Sequence, residues 1–402
     1  MEILAPTERA AIERVGDAPM LAQTQAWAAI NSGTRNLAGL AAMAAELADA
    51  FAILPGDLTL ARPAPAETLI SDGTVAALDH GHHLHLTVRP HAPVQILLTG
   101  HMDTVFPADH PFQSMHWQDD GRLNGPGVAD MKGGLAVMLA ALTAVEASPL
   151  ASRIGYEVVI GSDEETGSFS SAALIAQAAQ GKAAALTYEP ALPDGTLAGA
   201  RGGTGNFSIL IRGRSAHAGR NPDDGRNAVL AAADIALRLA EARSPRLSVN
   251  PARIEGGGPN NVVPDLAILR VNFRPADAGE IACAQAWIDA TVTHVASAHD
   301  VSVHVHGGFN RPPKPIDTGA AKLFGVVKQA GADLGLDITW RDTGGVCDGN
   351  NIAACGVPVV DTMGVRGGAI HSADEFLIPE SLAERAALSA LTILRIAEKG
   401  GL

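Results

Sequence analysis

Five short segments of this chain carry residues able to hold a divalent metal ion. The first is Gly100-His101-Met102-Asp103-Thr104, just beyond an apolar run. His101 and Asp103 are two apart, so in extended chain they point the same way. Both can bind a metal, or Asp103 can hold the His101 ring as its hydrogen-bond partner. The second segment, Gly125 to Gly134, brings Asp130 to the start of a helix through tight glycine turns. The third holds the adjacent Glu164 and Glu165, which can point to different places, one binding metal while the other handles protons. Tyr188-Glu189-Pro190 and Ile370-His371-Ser372-Ala373-Asp374-Glu375 complete the set. With three cysteines in the chain, any such site relies on His and carboxylate ligands.

Each segment alone has a plainer reading. A strand-end His is commonly a hydrogen-bonded structural residue. Paired glutamates are mostly solvated surface, and Asp130 can simply favour a helix N-terminus. The weight lies in all of them occurring on one framework of strand ends and loops.

That framework is α/β. Leu84–Val88 alternates like a half-buried strand, and Val94–Leu98 is a short apolar strand. Gly134–Ala147 reads as a buried helix, and Tyr156–Ile160 and Ala183–Tyr188 read as further strands. The Ala-rich start, to about Asp49, reads as helices, and residues 55–65 as a Pro-containing connection. Past Gly203 the pattern becomes β-α-β-β-α-β, the ferredoxin-like order: strands Phe207–Arg212, Leu247–Ile254, Leu266–Phe273 and Val301–Val305, with helices Asn227–Ala242 and Ala278–Ala298. This predicts an α+β domain, residues 204–312, inserted into a domain made of 1–203 and 313–402. The tail adds helix Asp317–Leu334, strand Val357–Asp361 and helix Glu380–Glu398.

The bulk properties narrow the class. A chain of 402 residues suits two domains, and 47% hydrophobic residues support large cores. The net charge of −14 repels phosphate backbones and argues against a nucleic-acid partner. No apolar run long enough to span a membrane is expected. The sparse, odd cysteine set fits a reducing compartment. With no secretory signal evident, a cytoplasmic location is expected, a processed periplasmic form remaining open.

The segments HMDT, GPGVADMKGG, DEETG, YEP, SAHAG and IHSADE together resemble the dizinc peptidase family of glutamate carboxypeptidase, acetylornithine deacetylase, succinyl-diaminopimelate desuccinylase and aminoacylase, and most closely its glutamate carboxypeptidase branch. The resemblance runs from about Gly100 to Leu377. It implies a catalytic α/β domain with an inserted lid or dimerisation domain, hence a homodimer. It implies two zinc ions per chain, with cobalt or manganese as substitutes. His101 and Glu189 would hold one, Glu165 and His371 the other, and Asp130 would bridge them. Asp103 would orient His101, the Asp130-Met131 peptide would be cis, and Glu164 would be the general base acting on a metal-bridging hydroxide. The substrate would be a small peptide or N-acyl amino acid, cut next to a free carboxylate.

By the same resemblance His217 is the oxyanion donor. Asn261 and Arg274 would bind substrate and its carboxylate, a task that suits the planar guanidinium fork. Arg311 would stand on the substrate side, and Gly345 would line the cleft within a glycine-rich loop. Two departures bear on selectivity. Cys347 stands where the family has a hydroxyl residue, and no Lys follows Glu189 before Gly205, where Arg201 is the sole cation. Glutamate preference is therefore not implied. Glu189 at its position goes with carboxypeptidases and deacylases, whereas aminopeptidase members carry Asp there.

His80, His82, His83 and His85 form a dense cluster, but alternation separates their faces and no tidy carboxylate motif accompanies them. His304 and His306 read as solvent-facing, and Cys347 and Cys355 lack the spacing of a structural zinc site. The reading favoured is an amidohydrolase, a metallocarboxypeptidase or an N-acyl-amino-acid deacylase. The competitors are a dipeptidase or aminopeptidase of the same fold, and a non-catalytic binding relative. The last should have lost a ligand or the general base, and this chain keeps all of them.

Overall fold

The structure, a computed structural model, describes residues 4–402; residues 1–3, which open the expected first domain, lie outside the described residues. The main sheet has six strands in the order Asp57–Ala61, His83–Val88, Ile154–Gly161, Val94–His101, Ala184–Thr187 and Val359–Val360. The first two pair antiparallel along one side, and the last four are mutually parallel. Successive side chains leave opposite faces, and both faces are covered. Ile96, Leu98, Val158 and Ile160 join the large cluster on one face, while Leu97, Val159 and Ala185 pack on the other against helices Ala172–Ala179 and Asp348–Ala354.

Gly133–Glu146 is the central helix of the larger face and is buried on nearly every side, packed by Ser381–Lys399. With its preceding turn it forms a 19-residue apolar stretch of mean hydropathy 1.5, longer than expected, and 94% of it lies inside the fold. It is a core helix, apolar all round because protein surrounds it. Burying each of its leucines contributes about 2 kcal/mol. Its start is pressed hard against a strand end: a Cβ on Gly134 would meet the Tyr188 carbonyl oxygen at 2.1 Å. Only glycine lets the helix approach the strand edge that carries Glu189.

The inserted unit is a four-stranded antiparallel sheet in the order Leu247–Gly256, Leu266–Pro275, Thr204–Arg212, Ser302–Arg311. Helices Ala228–Glu241 and Ala278–His299 cover one face over a separate apolar cluster that includes Phe207, Ile209, Ile288 and Phe273. The fold is thus α/β with an inserted ferredoxin-like α+β unit.

Three features depart from the sequence reading. Residues 55–65 hold the edge strand Asp57–Ala61, which the flanking prolines hid. The expected strand at 357–361 shrinks to Val359–Val360. A hairpin, Glu67–Leu69 with Val75–Ala77, leaves the main domain and lies on the open face of the inserted sheet. There Leu69 packs with Leu210 and Ile268, and the Leu69 and Gly73 carbonyls accept from Arg270 and Arg212 at 2.7 and 2.8 Å.

Candidate metal centre and active site

Three parallel strands deliver three of the five candidate ligands to one edge. His101 is paired with Gly161, and Thr99 with Thr187. His101 therefore ends one strand beside the turn carrying Glu164 and Glu165, with Glu189 just past the third strand. Such carboxyl edges are where α/β sheets build sites. Asp130 arrives on the turn Val128–Lys132, and the Asp130-Met131 peptide is cis. The turn is fixed by Glu375, whose carboxylate accepts from the backbone N–H groups of Gly127, Ala129 and Asp130 at 3.0–3.1 Å. His371 comes from a loop near the C-terminus with φ 63, a left-handed conformation that costs a non-glycine residue about 1–3 kcal/mol.

The five side chains converge, and Asp130 divides them into two sets. Its Oδ1 lies 3.1 Å from His101 Nε2, which is 3.7 Å from Glu189 Oε2. Its Oδ2 lies 3.3 Å from His371 Nε2, which is 3.1 Å from Glu165 Oε2. Ligand-type atoms of His101, Asp130 and Glu165 lie within 4.8 Å of one another, as do those of His101, Glu164 and Glu189.

The electrostatics show which counter-charges the cluster favours. Burial, then the Asp130 charge, pushes Glu165 up to about 8. Burial pushes Glu164 up to about 7, with Arg311 pulling the other way, and also raises Glu189. Hydrogen bonds to Asp130 and Glu165 lift His371 to about 11. Burial disfavours the charged form of His101, but Glu189 and then hydrogen bonds to Asp103 and Asp130 outweigh it and raise the ring well above its ordinary value. Burial opposes the charge on Asp130 too, yet hydrogen bonds from His101 and His371 hold it well below the usual carboxylate range. The carboxylates thus recruit protons as counter-charge, and divalent cations in the same place fit this donor set.

Asp103 differs in detail from its expected role. Its carbonyl oxygen is 2.9 Å from His101 Nδ1, whereas its carboxylate stands 3.4 Å away. The carboxylate accepts from the N–H groups of Glu164 and Glu165 at 3.1 and 3.2 Å and from Thr34 Oγ1 at 2.7 Å. Asp103 therefore fixes the glutamate turn as well as the ring. Thr34 has no motif to announce it; a single bridge, Gly33 to Thr104, brings its loop beside the site. Glu375 ends the IHSADE segment, and the family resemblance assigns it no role.

A cavity of about 660 Å³ opens on the cluster. Asp130, Glu164, Glu165, Glu189, His371 and Gly345 line it. Leu192, Leu197, Val346 and Ile370 add apolar lining, and the exposed Arg341 lines it too. Arg201 also lines it, but Asp361 holds the guanidinium at 2.7 and 3.2 Å, and it donates to the Gly345 carbonyl. Cys347 is buried and caps helix Asp348–Ala354, its Sγ accepting from the Gly349 N–H at 3.3 Å; burial raises the thiol well above its ordinary value.

The other substrate-side candidates stand apart from this cavity. His217 and Asn261 are exposed on a small ribbon, where His217 pairs with Val262 and the Ala218 N–H donates to the Asn261 carbonyl. Arg274 is exposed, its Nε donating to Asn272 Oδ1 at 3.0 Å. Arg311 departs from its expected place: it is buried against Glu164 and lines no part of the cavity. The histidine cluster is structural packing. His83 Nδ1 accepts from the Ser162 N–H, His80 lies 3.9 Å from buried Asp163, His85 pairs with Glu157, and His82 is exposed. His304 is exposed and His306 half-buried.

The fold and the cluster together define a metal-binding hydrolase of amide bonds. The chain belongs to peptidase family M20/M25/M40, whose model matches residues 97–395. It is 30% identical over 285 residues to carboxypeptidase G2 of Pseudomonas sp. (strain RS-16), covering 69% of this chain and 68% of that one. It is 28% identical over 305 residues to the succinyl-diaminopimelate desuccinylase of Verminephrobacter eiseniae, covering 70% and 74%. An M20 family metallo-carboxypeptidase from Sulfolobus solfataricus shares the fold with TM-score 0.68 at 14% identity, covering 94% of this chain and 99% of its own.

Proposed function

We propose that this chain is a dizinc hydrolase that cleaves an amide bond next to a free carboxylate, as a carboxypeptidase or an N-acyl-amino-acid deacylase. The observation that carries this is the division at Asp130, each of whose oxygens faces one histidine. In this reading His101 and Glu189 hold one ion, Glu165 and His371 the other, and Asp130 both. Two bound zinc ions would supply Lewis-acid polarisation of the scissile carbonyl and acidify water. Glu164 takes the proton of the attacking water and passes it to the departing amine nitrogen. Asp103, held by Thr34, keeps the Glu164–Glu165 turn in register. The acyl group lies against the apolar lining of the cavity.

Residues 204–312 act as lid and dimerisation unit, with 1–203 and 313–402 forming the catalytic part. His217 donates to the developing oxyanion, and Asn261 and Arg274 receive the substrate's carboxylate end. Their exposed positions mean that they act only when the inserted unit, or that of a second chain in a homodimer, comes over the cavity. Arg201, the cation nearest in sequence after Glu189, is already committed to Asp361, so it offers no free charge to an acidic side chain on the released amino acid.

A substrate panel tests the reading. The zinc-reconstituted protein is expected to release amino acid from N-acetyl, N-benzoyl and N-succinyl amino acids and to ignore the same compounds with the carboxylate amidated. Preference for dipeptides with a free amino end, lost on acetylation, would replace it with an aminopeptidase.

A further inference from the structure

Arg311 ends the last strand of the inserted unit, where the chain returns to the main domain. It is 5% exposed. Its Nη2 lies 2.8 Å from Glu164 Oε1 and donates to the Glu164 carbonyl oxygen and to Ser168 Oγ, each at 2.8 Å. The same Nη2 is 3.7 Å from Asp348 Oδ1, which accepts from Ser168 Oγ. The preceding residue joins the same grip, Asn310 Nδ2 donating to the Gly167 carbonyl at 3.1 Å. Two consecutive residues at the return of the inserted unit thus hold the turn that carries the proposed base.

We propose that Arg311 is a positioning residue, which sets the orientation of the Glu164 carboxylate and does not bind the substrate's carboxylate. This rests on the reading of Glu164 as general base. Several observations on the page support it. The Arg311 Nη2 reaches both the side chain and the backbone carbonyl of one residue, so it fixes the turn and the carboxylate together, at a reach that the shorter lysine side chain does not have. The Glu164 carboxylate, so held, keeps an atom within 4.8 Å of the ligand atoms of His101 and Glu189. Arg311 lines no part of the cavity, whereas the exposed Arg274 remains open to a substrate anion. Because Arg311 belongs to the return strand, a shift of the inserted unit is transmitted to the base through one side chain.

The test compares Arg311→Ala and Arg311→Lys with the parent, all zinc-reconstituted, on an N-acyl amino acid and on its carboxamide. A parent inactive on every N-acyl amino acid sinks the functional reading itself and is seen before any variant is made. In the variants, zinc content is expected to stay at the parent's level while kcat falls, by about 10²-fold for Arg311→Ala, the scale of lost general-base help. KM stays within about twofold, the acid-to-amide preference is unchanged, and added guanidinium ion restores part of kcat in the Ala variant. A raised KM for the free acid with kcat kept, and a collapsed preference for acid over amide, would return Arg311 to the substrate's carboxylate and overturn the proposal. If Arg311→Ala does not fold, Arg311→Lys decides alone: reduced kcat at unchanged KM supports positioning, and parental kcat overturns it.

Discussion

The ligand cluster and the His217–Asn261 ribbon are both assembled from separate segments, but they are held in different ways. The cluster stands on the edge of parallel strands, and its turns are tied by buried carboxylates, Asp103 and Glu375. Burial there strengthens each hydrogen bond and makes each unpaired group costly. The ribbon pairs two residues on each side, and His217 and Asn261 there are exposed. The candidate ligands are thus built into the core of the main domain, while in the proposed function the grip on substrate depends on where the inserted unit stands. The hairpin 67–77, the Arg311–Glu164 contact and the Asn310–Gly167 hydrogen bond are among the places where that unit is tied to the cluster's own domain.

The largest expected effect comes from the core side of this contrast. Glu164→Ala should cut turnover by about 10²–10⁴-fold while both metals stay bound. Near-parental turnover would remove Glu164 from the chemistry, and loss of metal would make it a ligand. The ribbon side comes next. His217→Ala should lower kcat by about 10²–10³-fold, the scale of one oxyanion donor, with an unchanged melting temperature. Mixed dimers of His217→Ala and Glu164→Ala chains should regain activity if the donor acts across chains; no recovery would confine it to its own chain.

The smallest effect sharpens the electrostatic half of the comparison. His371 and Glu165 are both raised in the metal-free fold, to about 11 and about 8. A raised group stabilises the fold below its unfolded value and loses that contribution as pH climbs to the folded one. The metal-free protein should therefore lose stability from pH 6 to pH 9, while metal binding strengthens as the competing protons leave. The gap in melting temperature between zinc-loaded and chelator-treated protein should widen over that range. A constant gap would mean that protons and metal do not share these ligands. His217→Ala should leave the widening untouched.

Much of the pocket was legible because its ligands sit in short motifs at strand ends, and strand ends follow from apolar runs such as Val94–Leu98. The edge strand Asp57–Ala61 was not legible, since the prolines around it mark a connection equally well. Thr34 was hidden for a different reason. Its contact with Asp103 spans 69 residues and rests on one isolated bridge, so no local pattern encodes it. For Arg311 the family resemblance implies a place on the substrate side. Only the three-dimensional arrangement reveals that Glu164 occupies its guanidinium.

The sequence by itself determined the ligand types, the order of the α/β elements and the interruption by a β-α-β-β-α-β unit, because periodicity and residue chemistry are local. The tertiary structure alone decided that Asp130 turns one oxygen to each histidine, that Arg311 faces the base, and that the ribbon stands off from the cavity. Those outcomes depend on how distant elements pack, and packing distance is a property that no stretch of chain carries on its own.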